Sequence, residues 1–357
     1  MNVYTKFLTI LFLKSLIFVT IITISLVFVL NLLSELDFFK NINTETYFLL
    51  FLSVLNSPSM LFEIFPFILL ITTQLFFIKL FNNNEIEVFK YSGLKNSKIL
   101  GIISINALIV GLIVTTLFYN LSSNLKNFYL ELKSPFTSDG KYLAVITNNG
   151  LWIKDIYNEN IMIINASSFN NNELVDIYIS EFDKDFEIIR NIKSKKVDIT
   201  NKEWIIKDAE IYIQNNKEVV ESLKFKTNFD YALIQSLFSN MSSLSFIELI
   251  EMRKNYKKLN YSLTEIDLQL FKLVSFPFYF ILMFIFAAII MMNTKTFKSK
   301  SLKIIIGLFF SVIIYYINNF FYILGNSEKI NVFSSIIIPL TILTIINSIF
   351  MRNINDK

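Results

Sequence analysis

Residues 7–33 form an apolar run broken by a single charge, Lys14. A bilayer core about 30 Å thick takes roughly 20 helical residues to cross, so this run must be a spanning helix. Five more such runs follow, at about 60–81, 98–121, 272–292, 302–324 and 332–351. Lipid offers no partner to backbone polar groups, so each run has to close its own hydrogen bonds as a helix. The fold class is therefore a polytopic α-helical membrane protein with six transmembrane helices. Lys14 can snorkel to the headgroups. Only Ser34-Glu35-Leu36-Asp37-Phe38-Phe39 follows the first run, with no small-residue cleavage site, so the run reads as a retained anchor.

The intervening segments are less uniform. Tyr47 to Leu55 is apolar but too short to cross, and Asn56-Ser57-Pro58 reads as a break, which predicts an interfacial helix there. Pro66 is expected to kink the second span, and Glu63 to reach the interface from its outer end. Residues 122–242 change character. Ile177 and Ile179 alternate with Tyr178 and Ser180, Trp204 and Ile206 with Glu203, Ile205 and Lys207, and Leu223 and Phe225 with Lys224 and Lys226. Ile211 and Ile213 flank Tyr212. Period two of this kind, with turns at Asn148-Asn149-Gly150 and Thr200-Asn201-Lys202, predicts a β-jellyroll-like or sandwich domain inserted between helices three and four. Lys193-Ser194-Lys195-Lys196 reads as a solvated hairpin tip, and Glu181, Asp183 and Asp185 as solvated strand or turn faces. Ser245-Phe246-Ile247-Glu248 matches a capping box and opens a connector helix within 243–262. Residues 263–357 then carry the last three spans. Asn318 and Asn319 inside span five read as glue between helices.

One short stretch, residues 82–94, has signals of its own. Asn84 is placed to cap a helix with its side-chain oxygen, and Glu87 follows three positions later, as in a capping box. Gly93 stands where a helix ends in a left-handed residue. Between them fit about two turns, too few for a helix stable on its own. Ile86, Phe89 and Gly93 share a face, and Glu85 and Glu87 favour the first turn through the helix dipole.

Short-loop charges set the orientation. Lys79, Lys90, Lys95 and Lys98 cluster after span two, Lys295, Lys298, Lys300 and Lys303 after span four, and Arg352 and Lys357 at the end. The other side carries Glu35, Asp37 and Glu45 against Lys40, and a Glu328–Lys329 pair. The positive-inside rule puts both termini and the short helix in the cytosol and the β domain outside it.

The chain has no Cys and no His, which removes thiolate and imidazole chemistry at once. There is no Walker A pattern, G-x-G-x-x-G or HExxH, and the seven glycines are scattered singly. No catalytic residue, metal site or cofactor is expected, and nothing points to nucleic acid. Lys272, the main charge within the later spans, fits snorkelling at the outer interface. A chain with a cytosolic docking helix, six spans and an external β domain, but no means of using chemical energy, suits a translocation subunit driven by a partner.

Read in order, the motifs resemble the LptF/LptG permeases of the lipopolysaccharide exporter along essentially the whole chain. Glu85-Ile86-Glu87-Val88-Phe89-Lys90-Tyr91-Ser92-Gly93 is similar to the family's E-L-x-x-x-x-x-x-G stretch after span two. Phe65-Pro66 resembles its F-P, Leu244-Ser245-Phe246-Ile247-Glu248-Leu249 its L-S-x-x-x-L, and Pro277 and Pro339 fall where it has prolines. Asn149-Gly150-Leu151-Trp152-Ile153-Lys154-Asp155 resembles the G-L-W-x-[KR]-D run of the LptG branch. Where LptG proteins can carry a basic residue near the outer end of span one, this chain has Asn31, with Lys40 nearby.

The resemblance implies an inner-membrane, LptG-like permease paired with an LptF-like chain. It implies a dimer of LptB-like ATPases, LptC, and a periplasmic LptA-like bridge, with lipopolysaccharide as substrate. Glu85, Ile86, Phe89 and Gly93 would then belong to the helix that couples to LptB, with Glu85 meeting a basic group and Ile86 and Phe89 in a groove. Two other readings predict different things. A permease of another ABC-type lipid or lipoprotein exporter would usually have four spans and a domain after the first. A membrane scaffold or sensor would bring no ATPase.

Overall fold

The computed structural model describes residues 2–42, 44–136, 151–170, 172–214, 216–231, 233–234, 240–258, 261–292 and 299–352. The expected turn at Asn148-Asn149-Gly150 and the loop positions Lys295, Lys298 and Lys357 lie outside them. The chain divides into two compact units, Met1–Lys126 with Thr264–Lys357, and Asn127–Leu263.

The first unit is helical: α1 (Val3–Phe38), α2 (Thr46–Asn82), α3 (Glu85–Tyr91), α4 (Asn96–Ile113), the start of α5 (Tyr119–Lys133), and the C-terminal helices. Six helices among the described residues are long and apolar enough to cross a membrane. α2 departs from expectation. It runs unbroken for 37 residues through Asn56-Ser57-Pro58. Asn56 and Ser57 are not loop residues; they meet α1. Asn31 Nδ2 donates to Ser57 Oγ at 3.0 Å, and Asn56 Nδ2 donates to Asn31 Oδ1 at 3.1 Å. Ser57 also donates back to Ser53 O at 2.6 Å. With these side chains bonded, Pro58 removes only one backbone bond, which a packed membrane helix tolerates.

The third span also outruns its expected end. A π-helical turn at Val114–Phe118 joins α4 to α5, which continues to Lys133. Buried Ser122, Tyr129, Leu130 and Lys133 recur at helical spacing in a stretch too polar to form an apolar run.

The C-terminal helices are α6 (Phe246–Lys258), which belongs to the second unit, then α7 (Thr264–Met292), α8 (Lys300–Asn326) and α9 (Val332–Met351). α2 and α7 pack together and are the most buried of the six spanning helices among the described residues. Phenylalanine fills this contact: Phe62 stacks on Phe276 at 5.0 Å and Phe65 meets Phe280 at 5.4 Å. Such pairs add to burial through quadrupole geometry. Gly111 lets α4 approach α7, since a Cβ there would lie 3.0 Å from Pro277 Cα. Asn318 of α8 lies beside the Tyr279 hydroxyl of α7, where the helix-glue expectation would place it.

The second unit holds one antiparallel sheet in chain order: β1 (Leu151–Tyr157), β2 (Asn160–Asn170), β3 (Glu173–Phe182), β4 (Ile188–Asp198), β5 (Glu203–Ile213) and β6 (Asn216–Lys226). Asn158 and Glu159, both at positive φ, make the two-residue turn that suits a right-twisted hairpin. Trp204, fully buried, donates Nε1–H to Phe229 O at 2.8 Å, which ties the segment after β6 into the core.

A crease crosses this sheet. On β3 the buried positions are Leu174, then Ile177 and Ile179; on β4, Ile192 and Ser194, then Val197; on β5, Trp204 and Ile206, then Ala209 and Ile211. Each strand thus changes parity at the same row, around Asp176, Lys195 and Asp208. Asp176 and Asp208 sit at φ 49 and 48, a left-handed conformation that Asp tolerates better than most residues. Buried Ser194 patches the row by donating to Lys207 O at 2.5 Å and accepting from Lys196 N at 3.2 Å. Lys193-Ser194-Lys195-Lys196 is therefore mid-strand and not a hairpin tip. Glu181 is also not solvated; Arg190 Nε lies 2.6 Å away and Asn160 donates to it at 2.9 Å. The capping box at α6 forms as expected, with Ser245 N donating to Glu248 Oε2 at 2.7 Å and Glu248 N to Ser245 Oγ at 3.4 Å.

Candidate functional site

α3 is short because both of its ends are turned by left-handed residues. At the start, Asn84 has φ +55. A capping side chain needs an extended backbone, so Asn84 does not cap as the sequence suggested. Its carbonyl instead accepts from Glu87 N at 3.1 Å and Val88 N at 3.3 Å. At the far end Gly93 has φ +80, and Leu94 N returns to Phe89 O at 2.9 Å. That is a six-to-one closure around a C′ glycine, as the sequence predicts.

Glu85, Ile86, Phe89 and Gly93, the positions singled out in the sequence, fall on this helix and its terminating turn but do not face the same way. Ile86 is 6% exposed and anchors α3 within its own unit. Phe89 is half-buried, its ring edge-on to Phe7 of α1 at 6.1 Å. The apolar side chains that point outward are Val88 at 63% and Tyr91 at 90% exposed, one turn apart. Sequence periodicity found the apolar face of α3 and could not tell that this face is used internally. The signal for the outward pair was the spacing of Val88 and Tyr91. Glu85 accepts from Asn83 Nδ2 at 3.1 Å through Oε1, while Oε2 has no partner among the described residues.

Other positions singled out by the sequence have structural roles. Asn31 is buried in the α1–α2 contact described above, so it does not replace a basic residue facing outward. Lys272 lies with its ammonium 5.7 Å from the Tyr322 ring centroid, and both it and Lys126 feel the charge of Glu63. In the second unit Asp155, the acid of the Trp152 run, is buried and accepts from Thr227 Oγ1 at 2.5 Å, Asn228 N at 2.9 Å and Asn228 Nδ2 at 2.7 Å. This fastens the chain after β6 across the free side of β1. Tyr261 completes the cover: its hydroxyl bonds Lys154 N and Lys154 O, and Asn228 Nδ2 donates to Ile156 O at 2.9 Å. Burial raises the Tyr261 phenol above its ordinary pKa, partly offset by the Lys154 bond. β1 is thus a closed edge, and no bond covers the outer side of β6 among the described residues.

This short helix, fixed at both ends, shows an aromatic, an aliphatic and an acid on its outer side. The chain matches the family described as lipopolysaccharide export system permease LptF/LptG over residues 6–353. None of the curated proteins compared with it matches. The chain belongs to the LptF/LptG family: it is a multi-pass inner-membrane permease component of the lipopolysaccharide export system, a transport subunit and not an enzyme.

Proposed function

We propose that this permease is the LptG-like half of an ABC-type exporter, paired with an LptF-like chain and driven by a dimer of LptB-like ATPases. Lipopolysaccharide enters from the outer leaflet of the inner membrane and passes by the β domain to LptC and an LptA-like periplasmic bridge. Both termini and α3 lie in the cytosol and the β domain in the periplasm, a reading supported by the lysines of the short loops. The observation that carries the proposal is α3 itself. Its ends are pinned by Asn84 and Gly93, Ile86 holds it to the membrane unit, and Glu85, Val88 and Tyr91 are left for a partner. Apolar faces of the spans suit acyl chains, and the uncovered β6 offers a strand edge to a neighbouring sheet.

The test is co-purification with the LptB-like ATPase and lipopolysaccharide release from proteoliposomes. Glu85→Ala combined with Tyr91→Ala is expected to lose the ATPase and release while the permease still inserts. Unchanged association and release would overturn the assignment of α3.

A further inference from the structure

Lys303 belongs by sequence to the loop charges after span four, but it is 5% exposed. Its ammonium donates to Met291 O at 2.7 Å, in the last turn of α7, and lies 5.5 Å from the Phe81 ring centroid, in the last turn of α2. Three helices therefore meet at one side chain: α8 supplies it, α7 offers an orphan C-terminal carbonyl, where a cation is favoured, and α2 offers an aromatic face. Two turns back along α2, Gln74 makes a second tie. It is 1% exposed, and its Nε2 donates to Lys303 O at 3.3 Å and Ile304 O at 3.5 Å. Gly307 makes room for it, since a Cβ there would stand 2.0 Å from Gln74 Nε2. Its Oε1 has no partner among the described residues, so the amide is held there at a cost.

Phe81 lies four residues before Glu85, and only Asn83 and Asn84 separate α2 from α3. A displacement of α3 therefore reaches the end of α2 directly, through two residues of chain. We propose that Lys303, with Gln74 seated on Gly307, is the transmission point that makes α7 and α8 follow the end of α2 when the ATPase moves α3. These are positioning residues: they touch neither nucleotide nor substrate. Rigid ties between helix ends are what lets a local shift become a change of the whole helix arrangement. The inference rests on the docking role proposed for α3.

The experiment uses the full exporter in proteoliposomes and reads two rates in each sample, ATP hydrolysis and lipopolysaccharide release. Lys303→Met keeps length and apolar volume but loses the charge and the donor; Gln74→Leu removes the second tie alone. The expected result is hydrolysis within about twofold of the wild type with release per ATP down at least about fivefold, the lower end of measured coupling factors. Lys303→Arg should restore most of the ratio. An unchanged ratio in both variants overturns the proposal. Loss of the complex in both assigns the cluster to folding and overturns it equally. A wild-type complex that binds no ATPase would instead defeat the docking role of α3, which the same preparation reports separately.

Discussion

The Tyr261 hydroxyl lies 3.3 Å from both the backbone nitrogen and the carbonyl oxygen of Lys154, so one phenol satisfies both outward groups of that residue on β1. Removing only the hydroxyl leaves the ring contacts with Phe229 and Tyr256 in place. Tyr261→Phe is expected to cost about 1 kcal/mol, the net worth of a typical bond. Amide exchange at Lys154 should quicken selectively in the variant, while exchange at β3 and β4 stays as it was.

The same phenol has a pH signature. Its folded pKa is raised by burial, so its contribution is complete below the unfolded value near 10 and fades as pH climbs through the folded value. The β domain of the wild type should therefore lose stability above about pH 10 more steeply than that of Tyr261→Phe. Tryptophan fluorescence against urea at two alkaline pH values, in the full protein, measures the difference.

Gly93 is open to steric bulk but not to conformation. A Cβ would meet nothing within 4 Å, yet φ is +80. Gly93→Ala should therefore cost about 1–2 kcal/mol, the left-handed penalty alone. Limited proteolysis in detergent should cut residues 85–94 faster in the variant, with the spans unaffected.

Ile86 and Tyr91 should separate by phenotype. Truncating buried Ile86 to Ala removes packing within the chain and is expected to lower thermal stability, at about 2–5 kcal/mol for a full core cavity. Tyr91 is 90% exposed, so in Tyr91→Ala the melting temperature should hold while association with the ATPase weakens. Equal effects on melting would show that Tyr91 is an internal residue after all.

Asp155 accepts three bonds in a buried position. Asp155→Ala strands the donors of Thr227 and Asn228 and should destabilise the β domain by about 3 kcal/mol, since bonds to a charged group are each worth about 1.5–3 and do not add fully. Urea unfolding followed by the Trp204 signal reads this directly.

The spans were legible because apolar length is a nearly sufficient signal in lipid. Period two disclosed the β domain for the same reason: Ile177, Ile179, Trp204 and Ile206 are all buried. What misled was polarity inside helices. Asn56 and Ser57 look like a break because their partner, Asn31, is 25 and 26 residues away in sequence. Lys303 looked solvated because a charge count cannot see the Met291 carbonyl. At α3 the glycine terminator was readable from local chemistry, whereas the choice between Ile86 and Tyr91 as the outward residue depends on α1 and α2. Asn84 failed as a cap because the tight turn from α2 forces it to positive φ.

The crease around Asp176, Lys195 and Asp208 binds the lengths of separate strands to one another. A residue inserted into β4 alone, between Ser194 and Val197, would restore plain alternation there while β3 and β5 kept their inversion. Half of β4 would then turn its charged side chains into the core. Natural drift can shorten or lengthen the hairpin turns freely, but along this row the sheet admits a change in chain length only if neighbouring strands change together.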